Sequence, residues 1–321
     1  MCSKIKCQKL KQASFSMHSS RYSSIHNLNS CNTLPKILFR PYMVLNRFNN
    51  MFPGAFLDER IQHKDFIVSD VEKKFSVLPT GSSPSRRLCD MFWSCLNWKA
   101  IDELLGGIQL MDIGCGTGKY FKLLNTFSSS RIKKYAGLDI NSKDSWKEMS
   151  GNNVIFETYD GINIKGKIAA GTNFFISQSA IEHMCEDVSF FCQVGGYISD
   201  IEKLALQIHL FPSAGCLRLY RVHGIRQYTP RTISTLTRQI GSGQITLFRL
   251  GGKKCNDLHF NFITVPLRKR EEDQRKSRRE EYESELVKAI KSDMQYPAME
   301  PSFYALVISH NFPESFKLFT C

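Results

Sequence analysis

The sequence predicts an α/β protein built on an open, doubly wound sheet with helices on both faces. Three observations carry that expectation. Ile108, Leu110, Met111 and Ile113 form a short apolar run of buried-strand type that passes straight into Gly114, Gly116 and Gly118 and then into a helix. Residues 135–140, Y-A-G-L-D-I, read as a second strand ending in an acid, Asp139. Residues 154–158 are a third apolar segment, running into Tyr159, Asp160 and Gly161. In an open α/β sheet, ligands bind beyond the carboxyl ends of the strands, which is where these glycines and acids fall.

Residues 1–32 are Ser-rich, basic and free of Asp and Glu, with no apolar period, and are expected to be a disordered extension. Residues 33–100 read as an N-terminal helical segment. Within it, residues 34–57 are apolar and aromatic, interrupted by Arg40 and Arg47, as in an amphipathic helix docked on the main domain. Ser83 followed by Pro84 is a helix start, with Leu88, Met91, Phe92 and Cys95 on one face. The main domain spans residues 101–321. After the three strands above, a fourth starts at Asn173 and a fifth covers 204–209. Residues 244–250, 259–265 and 302–309 also read as strands, the last two completing the sheet. Residues 211–240 form a small cap, where His223, Arg226 and Tyr228 join His209 as polar groups among apolar ones. Residues 268–293 carry both charge signs, with pairs such as Glu271 and Arg275 four apart, and are expected to be a solvated helical arm.

The spacing of the glycines separates three kinds of ligand loop. The dinucleotide pattern G-x-G-x-x-G needs a glycine where Lys119 stands. The phosphate-binding pattern G-x-x-x-x-G-K-S/T needs a glycine at Ile113 and a Ser or Thr at Tyr120. What remains, D-x-G-x-G-x-G from Asp112 to Gly118, resembles motif I of the class I S-adenosylmethionine (SAM)-dependent methyltransferases. The resemblance spans roughly residues 75–310 and is strongest over 111–139 and 174–184. It implies a Rossmann-like, mostly parallel seven-stranded sheet with a reversed last hairpin, SAM as methyl donor and S-adenosylhomocysteine as product.

Candidate cofactor-binding residues are Asp112, Gly114, Gly116 and Gly118 in the turn, together with Asp139, 21 positions after Gly118. A carboxylate there can accept from both ribose hydroxyls of a nucleoside. The resemblance assigns Asp160 to the adenine amino group. Residues 173–184, N-F-F-I-S-Q-S-A-I-E-H-M, place Ser177 through His183 towards the methyl group. Methyl transfer is an in-line displacement from a sulfonium, so the protein must align the nucleophile and take its proton. His183 is the first candidate base, Glu182 its neighbour, and His209 a further candidate because it ends a strand. The Glu182-His183 pair resembles the E-x-x-E-H of metal-assisted O-methyltransferases, but Ser179 replaces the first Glu, so no metal is expected.

The acceptor expected is a small molecule or sugar methylated on oxygen, since a His/Glu pair is present and no aromatic clamp for a planar base is visible. Two alternatives stand beside it: methylation of RNA or another macromolecule, and a SAM-binding protein without catalysis. The formal charge of +13 invites the nucleic-acid reading. Eight of the Lys and Arg residues lie in the first 57 positions with no acid among them, which leaves only +5 for the rest of the chain. No run of 18 apolar residues occurs, so no transmembrane segment is expected. The 11 cysteines are scattered without a C-x-x-C pair, which fits a reducing compartment. The expected location is cytoplasmic, or organellar if the basic N-terminus is a transit peptide.

Overall fold

A computed structural model describes Pro41 and residues 57–220 and 228–320. The expectations for residues 1–32, for most of 34–57, and for His223 and Arg226 lie outside these residues. Eight strands form one sheet: β1 (Ile61–Asp65), β2 (Ile108–Ile113), β3 (Ile132–Asp139), β4 (Val154–Thr158), β5 (Phe174–Gln178), β6 (Ala205–Pro212), β7 (Gln244–Leu250) and β8 (Phe303–His310). Their order is β1-β7-β8-β6-β5-β2-β3-β4. Neighbours are parallel except that β8 runs antiparallel to β6 and β7. The chain leaves β2 towards β3 on one side and later returns to β5 on the other, which opens a crevice at the carboxyl ends of β2 and β5. The architecture is the Rossmann-like, mostly parallel sheet with a reversed last strand that the motif implied, with eight strands rather than seven.

The additional strand is β1, which lies inside the segment the sequence assigned to helices. Its residues, I-Q-H-K-D, include one apolar side chain, too few to display a strand period. Pairing with β7 holds it, Ile61 opposite Ile245, and Asp65 accepts two hydrogen bonds from the Arg249 guanidinium at 2.7 and 2.9 Å. A short charged strand suits the edge of a sheet, where an apolar one would invite pairing with another chain.

Alternation along the inner strands sends side chains to two cores. Leu110, Phe174, Ile176, Leu206 and Ile208 face one side, where α2 (Pro84–Cys95), α3 (Trp98–Leu105) and α4 (Tyr120–Phe127) pack. Met111, Ile113, Phe175 and Phe211 face the other, against α6 (Asp187–Ile201) and α7 (Pro230–Thr237). Short α1 (Val71–Ser76) and α5 (Ser145–Met149) lie outside this inner set. Helix α2 starts as its sequence requires, with Ser83 Oγ accepting from the Arg86 N–H and Pro84 in the first turn.

Residues 259–265 are a second correction, since they are helical. Helix α8 (Lys253–His259) runs on through a π-helical turn, Phe260–Thr264, to Arg268. The run F-N-F-I-T-V suits either state by composition, but β7 pairs directly with β8, so no place for a strand remains between them. As a helix it buries Phe262, whose ring lies 5.3 Å from that of Tyr282. The charged segment after it is also more than a solvated arm. Helix α9 (Arg279–Gln295) buries Tyr282, Leu286 and Ile290, and Asp293 accepts from the Lys254 and Cys255 N–H groups at the start of α8. Arg275 pairs with Asp273 at 3.0 Å rather than with Glu271. Truncating Ile290→Ala should therefore cost about 2–5 kcal/mol in urea denaturation. A cost near zero would show a detached arm.

Candidate active site

The turn between β2 and α4 is tied to the end of β3, because the Gly114 and Cys115 N–H groups both donate to the Leu138 carbonyl, at 2.7 and 3.0 Å. Its three glycines have φ of +76°, +56° and +74°, but they meet different needs. A Cβ at Gly114 would stand 2.3 Å from the Ala180 Cβ, and one at Gly118 2.4 Å from the Phe156 ring. A Cβ at Gly116 would meet nothing within 4 Å. Packing within the protein thus accounts for the outer two glycines, and only Gly116 presents its backbone to open space. Beside it, the Gly116 N–H donates to Asp139 Oδ2 at 2.9 Å and the Asn141 N–H to Oδ1 at 3.2 Å. Each carboxylate oxygen keeps a further lone pair for a ligand hydroxyl. The Trp146 indole donates to the Gly116 carbonyl at 2.9 Å and its ring stacks on Phe156, which fixes the far side of the turn.

Asp160 is exposed and builds its own turn. Its carboxylate accepts from the Ile162 and Asn163 N–H groups and the Asn163 side chain at 2.9, 2.7 and 2.7 Å, which holds it below the usual carboxylate range. The neighbouring Gly161 lies beside Ile140, an added Cβ there standing in ordinary contact 3.4 Å from Ile140 Cγ2. Ile140 and Ile162, on the loops after β3 and β4, are exposed large aliphatic residues. They offer an apolar surface next to Asp139, a feature the sequence reading missed because single aliphatic residues after an acid carry no pattern.

Three acids lie buried near the crevice, and burial raises each of them. Asp112 accepts from the Tyr135 hydroxyl at 2.7 Å and is pushed up to about 6. Asp90 of α2 accepts from the Tyr120 hydroxyl at 2.6 Å and is also pushed up to about 6. Glu182 is fully buried, neither carboxylate oxygen makes a full hydrogen bond, its own backbone N–H offsets only part of the burial, and it is pushed up to about 8. Leaving a buried carboxyl unmatched costs roughly 1–3 kcal/mol or more. Arg86, exposed and 5.3 Å from the centre of the Tyr120 ring, is the cation whose field opposes this rise at all three. Arg86 and Asp90 carry no signal in the sequence because they look like ordinary polar residues in the first two turns of an amphipathic helix.

The predicted catalytic and methyl-facing residues separate. Ser177 and His209 are wholly buried on the α6 side of the sheet, with Ser177 Oγ and His209 Nδ1 2.9 Å apart and His209 Nε2 3.3 Å from Gln207 Oε1. Phe190 and Phe191 pack edge-on against the imidazole, and burial pulls it down to about 3. His209 is a neutral core histidine and Ser177 its partner, so neither reaches the crevice. Tyr228 is likewise buried, donating to Asp187 at 2.8 Å. Glu182 and His183 share a short 3-10 turn, Ile181–His183, with Glu182 inside and His183 exposed, its imidazole held below its usual range by the surrounding protein. Ser179 (φ +52°) starts this reversal, and Ala180 closes it against Gly114.

Among the described residues no three His, Cys, Asp or Glu side chains are grouped as a metal site. A cleft of about 570 Å³ opens at the opposite, amino-terminal end of the strands, lined by Gln109, Asn173, Tyr197 and Lys203 among others.

No protein-family model matches the sequence, and no curated protein matches it. Solved structures similar to the chain include a SAM-dependent methyltransferase from Archaeoglobus fulgidus, 16% identical, with a TM-score of 0.41 over 66% of this chain and 90% of the other. A SAM-dependent methyltransferase from Mesorhizobium loti is 13% identical, with a TM-score of 0.38 over 66% and 95%. An N-methyltransferase from Haemonchus contortus, solved with phosphomonomethylethanolamine and S-adenosylhomocysteine, is 13% identical, with a TM-score of 0.39 over 76% and 61%.

Two outcomes follow from the geometry. Gly118→Ala should lose roughly 1–3 kcal/mol and melt lower, whereas Gly116→Ala should lose only about 1 kcal/mol for its backbone angle. Equal losses in thermal melts would contradict the packing difference. The second concerns pH. Above pH 7 the buried histidines are neutral in the folded protein, with His209 pulled to about 3 and His259 and His310 to about 4. Glu182 keeps its proton up to about pH 8 when folded, against 4.5 when unfolded, so the folded state binds more protons. Stability should fall between pH 7 and 8, by at most about 1.4 kcal/mol per pH unit. Glu182→Gln should remove that slope in denaturation midpoints, and an unchanged slope would show Glu182 already ionised.

Proposed function

We propose that this chain is a SAM-dependent methyltransferase that methylates an oxygen of a small molecule or sugar. The observation that supports it most directly is the pairing of Gly116, whose backbone faces open space, with the Asp139 carboxylate at the carboxyl ends of β2 and β3. The residues fit a nucleoside with an amino-acid tail. Asp139 retains acceptor capacity for two ribose hydroxyls, and Ile140 and Ile162 give an apolar surface for a planar ring. Asp160 stands beside that surface as the residue for an exocyclic amino group. Asp112 lies beneath the turn and holds it through Tyr135.

SAM, when bound, supplies a methyl group on a sulfonium. The protein's own part is to align an acceptor with that methyl and to receive the acceptor's proton, and Glu182 and His183 stand at the end of β5 where both are needed. Asp90 and Asp112, pushed up only to about 6, are ionised at neutral pH and give the crevice a negative field that favours a cationic donor over its neutral product. Among the described residues no helix is long and apolar enough to cross a membrane.

Calorimetric titration tests the cofactor. SAM and S-adenosylhomocysteine should bind, and NADH should not. Asp139→Ala should weaken SAM by about 1–3 kcal/mol through lost charge-assisted hydrogen bonds. Gly116→Val should abolish binding. Stabilisation by NADH and not by SAM would overturn the reading. A chain that starts at residue 58 separates the acceptor classes, because a macromolecular acceptor recruited by the basic first 57 residues would be lost with them while SAM binding stayed. Bound SAM with no transfer to any acceptor would favour the SAM-binding protein without catalysis.

A further inference from the structure

Gln178 ends β5, and the Trp93 indole N–H donates to its side-chain oxygen at 2.5 Å. An indole N–H can only donate, so this contact fixes which way round the amide lies. The Gln178 nitrogen is thereby turned away from Trp93, and it is buried without a partner. Four residues on, both oxygens of Glu182 are buried without a full hydrogen bond, and its own backbone N–H offsets only part of that burial. Nearly all buried polar groups in folded proteins are hydrogen-bonded. Here a donor and an acceptor four residues apart are both left open, Gln178 at the end of β5 and Glu182 on the loop that follows it, which is pressed against the glycine turn through Ala180 and Gly114.

In its ionised form, the form able to take a proton, Glu182 is a pure acceptor, so a group that satisfies both must accept from the amide and give a proton to the carboxylate. A hydroxyl does both. An ammonium has no lone pair for Gln178, and a carboxylate or phosphate has no proton for Glu182 and would face Asp90 and Asp112 besides. Resting on the SAM-dependent reading above, we propose that Gln178 and Glu182 hold the reacting hydroxyl of a neutral acceptor, Gln178 donating to its oxygen and Glu182 receiving its proton. In the step, a lone pair of that oxygen forms the bond to the methyl carbon and the carbon–sulfur bond breaks. Its electron pair stays on sulfur, which becomes a neutral thioether, and the hydroxyl proton passes to the Glu182 carboxylate. Three titratable or charged groups face that carboxylate, Arg86 and Cys89 from α2 and Cys216 from the turn after β6. Glu182 is pushed up to about 8, whereas the nearby Asp90 and Asp112 are pushed up only to about 6, Cys216 is pushed up to about 12 and Cys89 is raised higher still. The transfer rate should therefore climb with pH and level off above about 8.

The test uses the full chain and SAM carrying a labelled methyl. Hydroxyl compounds (catechol, methyl glucoside and glycerol), an amine (putrescine) and a carboxylate (benzoate) serve as acceptors, and SAM affinity is measured separately by calorimetry. The variants are Gln178→Glu, which keeps an oxygen for Trp93 but removes the amide donor, and Glu182→Gln. The expected result is label on a hydroxyl compound and on neither putrescine nor benzoate, with a rate that falls about 100-fold or more in each variant while SAM affinity stays nearly unchanged. The pH profile should flatten in Glu182→Gln, and Glu182→Met should melt higher than the parent at pH 8, since it removes an unpaired buried carboxyl. Bound SAM with label only on putrescine or benzoate, with no label on any hydroxyl compound, or with a larger loss in His183→Ala than in Glu182→Gln would overturn this proposal and leave the SAM reading standing. A parent chain that binds no SAM would overturn both.

Discussion

The chain leaving β2 and the chain leaving β5 touch at Gly114 and Ala180, where the first has room for nothing larger than hydrogen. The features of the crevice follow from that contact. It holds the glycine turn open at Gly116, because the Gly114 and Cys115 amides are committed to Leu138 and cannot collapse onto a ligand position. It forces the chain after β5 into a tight reversal at Ser179, and that reversal turns Glu182 inward and His183 outward. Two adjacent residues with the same expected role therefore have opposite surroundings.

The stability of this region works against its chemistry. Asp90 and Asp112 each find a tyrosine hydroxyl, and Glu182 finds none, so the crevice carries buried acid that the fold does not match internally. Arg86 faces all three from an exposed position and offsets only part of the desolvation. Folded proteins tolerate such mismatches chiefly where a ligand completes them. By contrast, the polar residues on the α6 side of the sheet, Ser177, Gln207, His209 and His310, are joined in a closed set of side-chain contacts. The α6 face of the sheet satisfies these buried polar groups, whereas Gln178 and Glu182, at and after the end of β5, keep buried side-chain atoms open.

What was legible in the sequence was local. The glycine turn, the acid ending β3 and the Ser83-Pro84 start of α2 are set by residues within a few positions of one another, and each stands where its pattern placed it. The strand β1 was illegible because one apolar residue in five gives no period, and its place depends on β7, nearly two hundred residues later. Residues 259–265 misled because aromatic and branched residues suit a buried helix as well as a strand, and the direct pairing of β7 with β8 decides between them. His209 misled for a different reason. It does not end its strand, because β6 runs on to Pro212, and alternation directs it to the α6 face, where Phe190 and Phe191 enclose it. Gln178 lay within the stretch expected to face the methyl group but had no role of its own in the sequence, because its orientation comes from Trp93, a residue 85 positions away that fixes the amide.

Hydrogen exchange measured with and without S-adenosylhomocysteine tests the location of the site most directly. Binding at the crevice should slow exchange of the amides over residues 114–120, 138–141 and 159–163. Unchanged exchange there, with protection instead around Gln109, Asn173 and Lys203 at the amino-terminal cleft, would contradict the account.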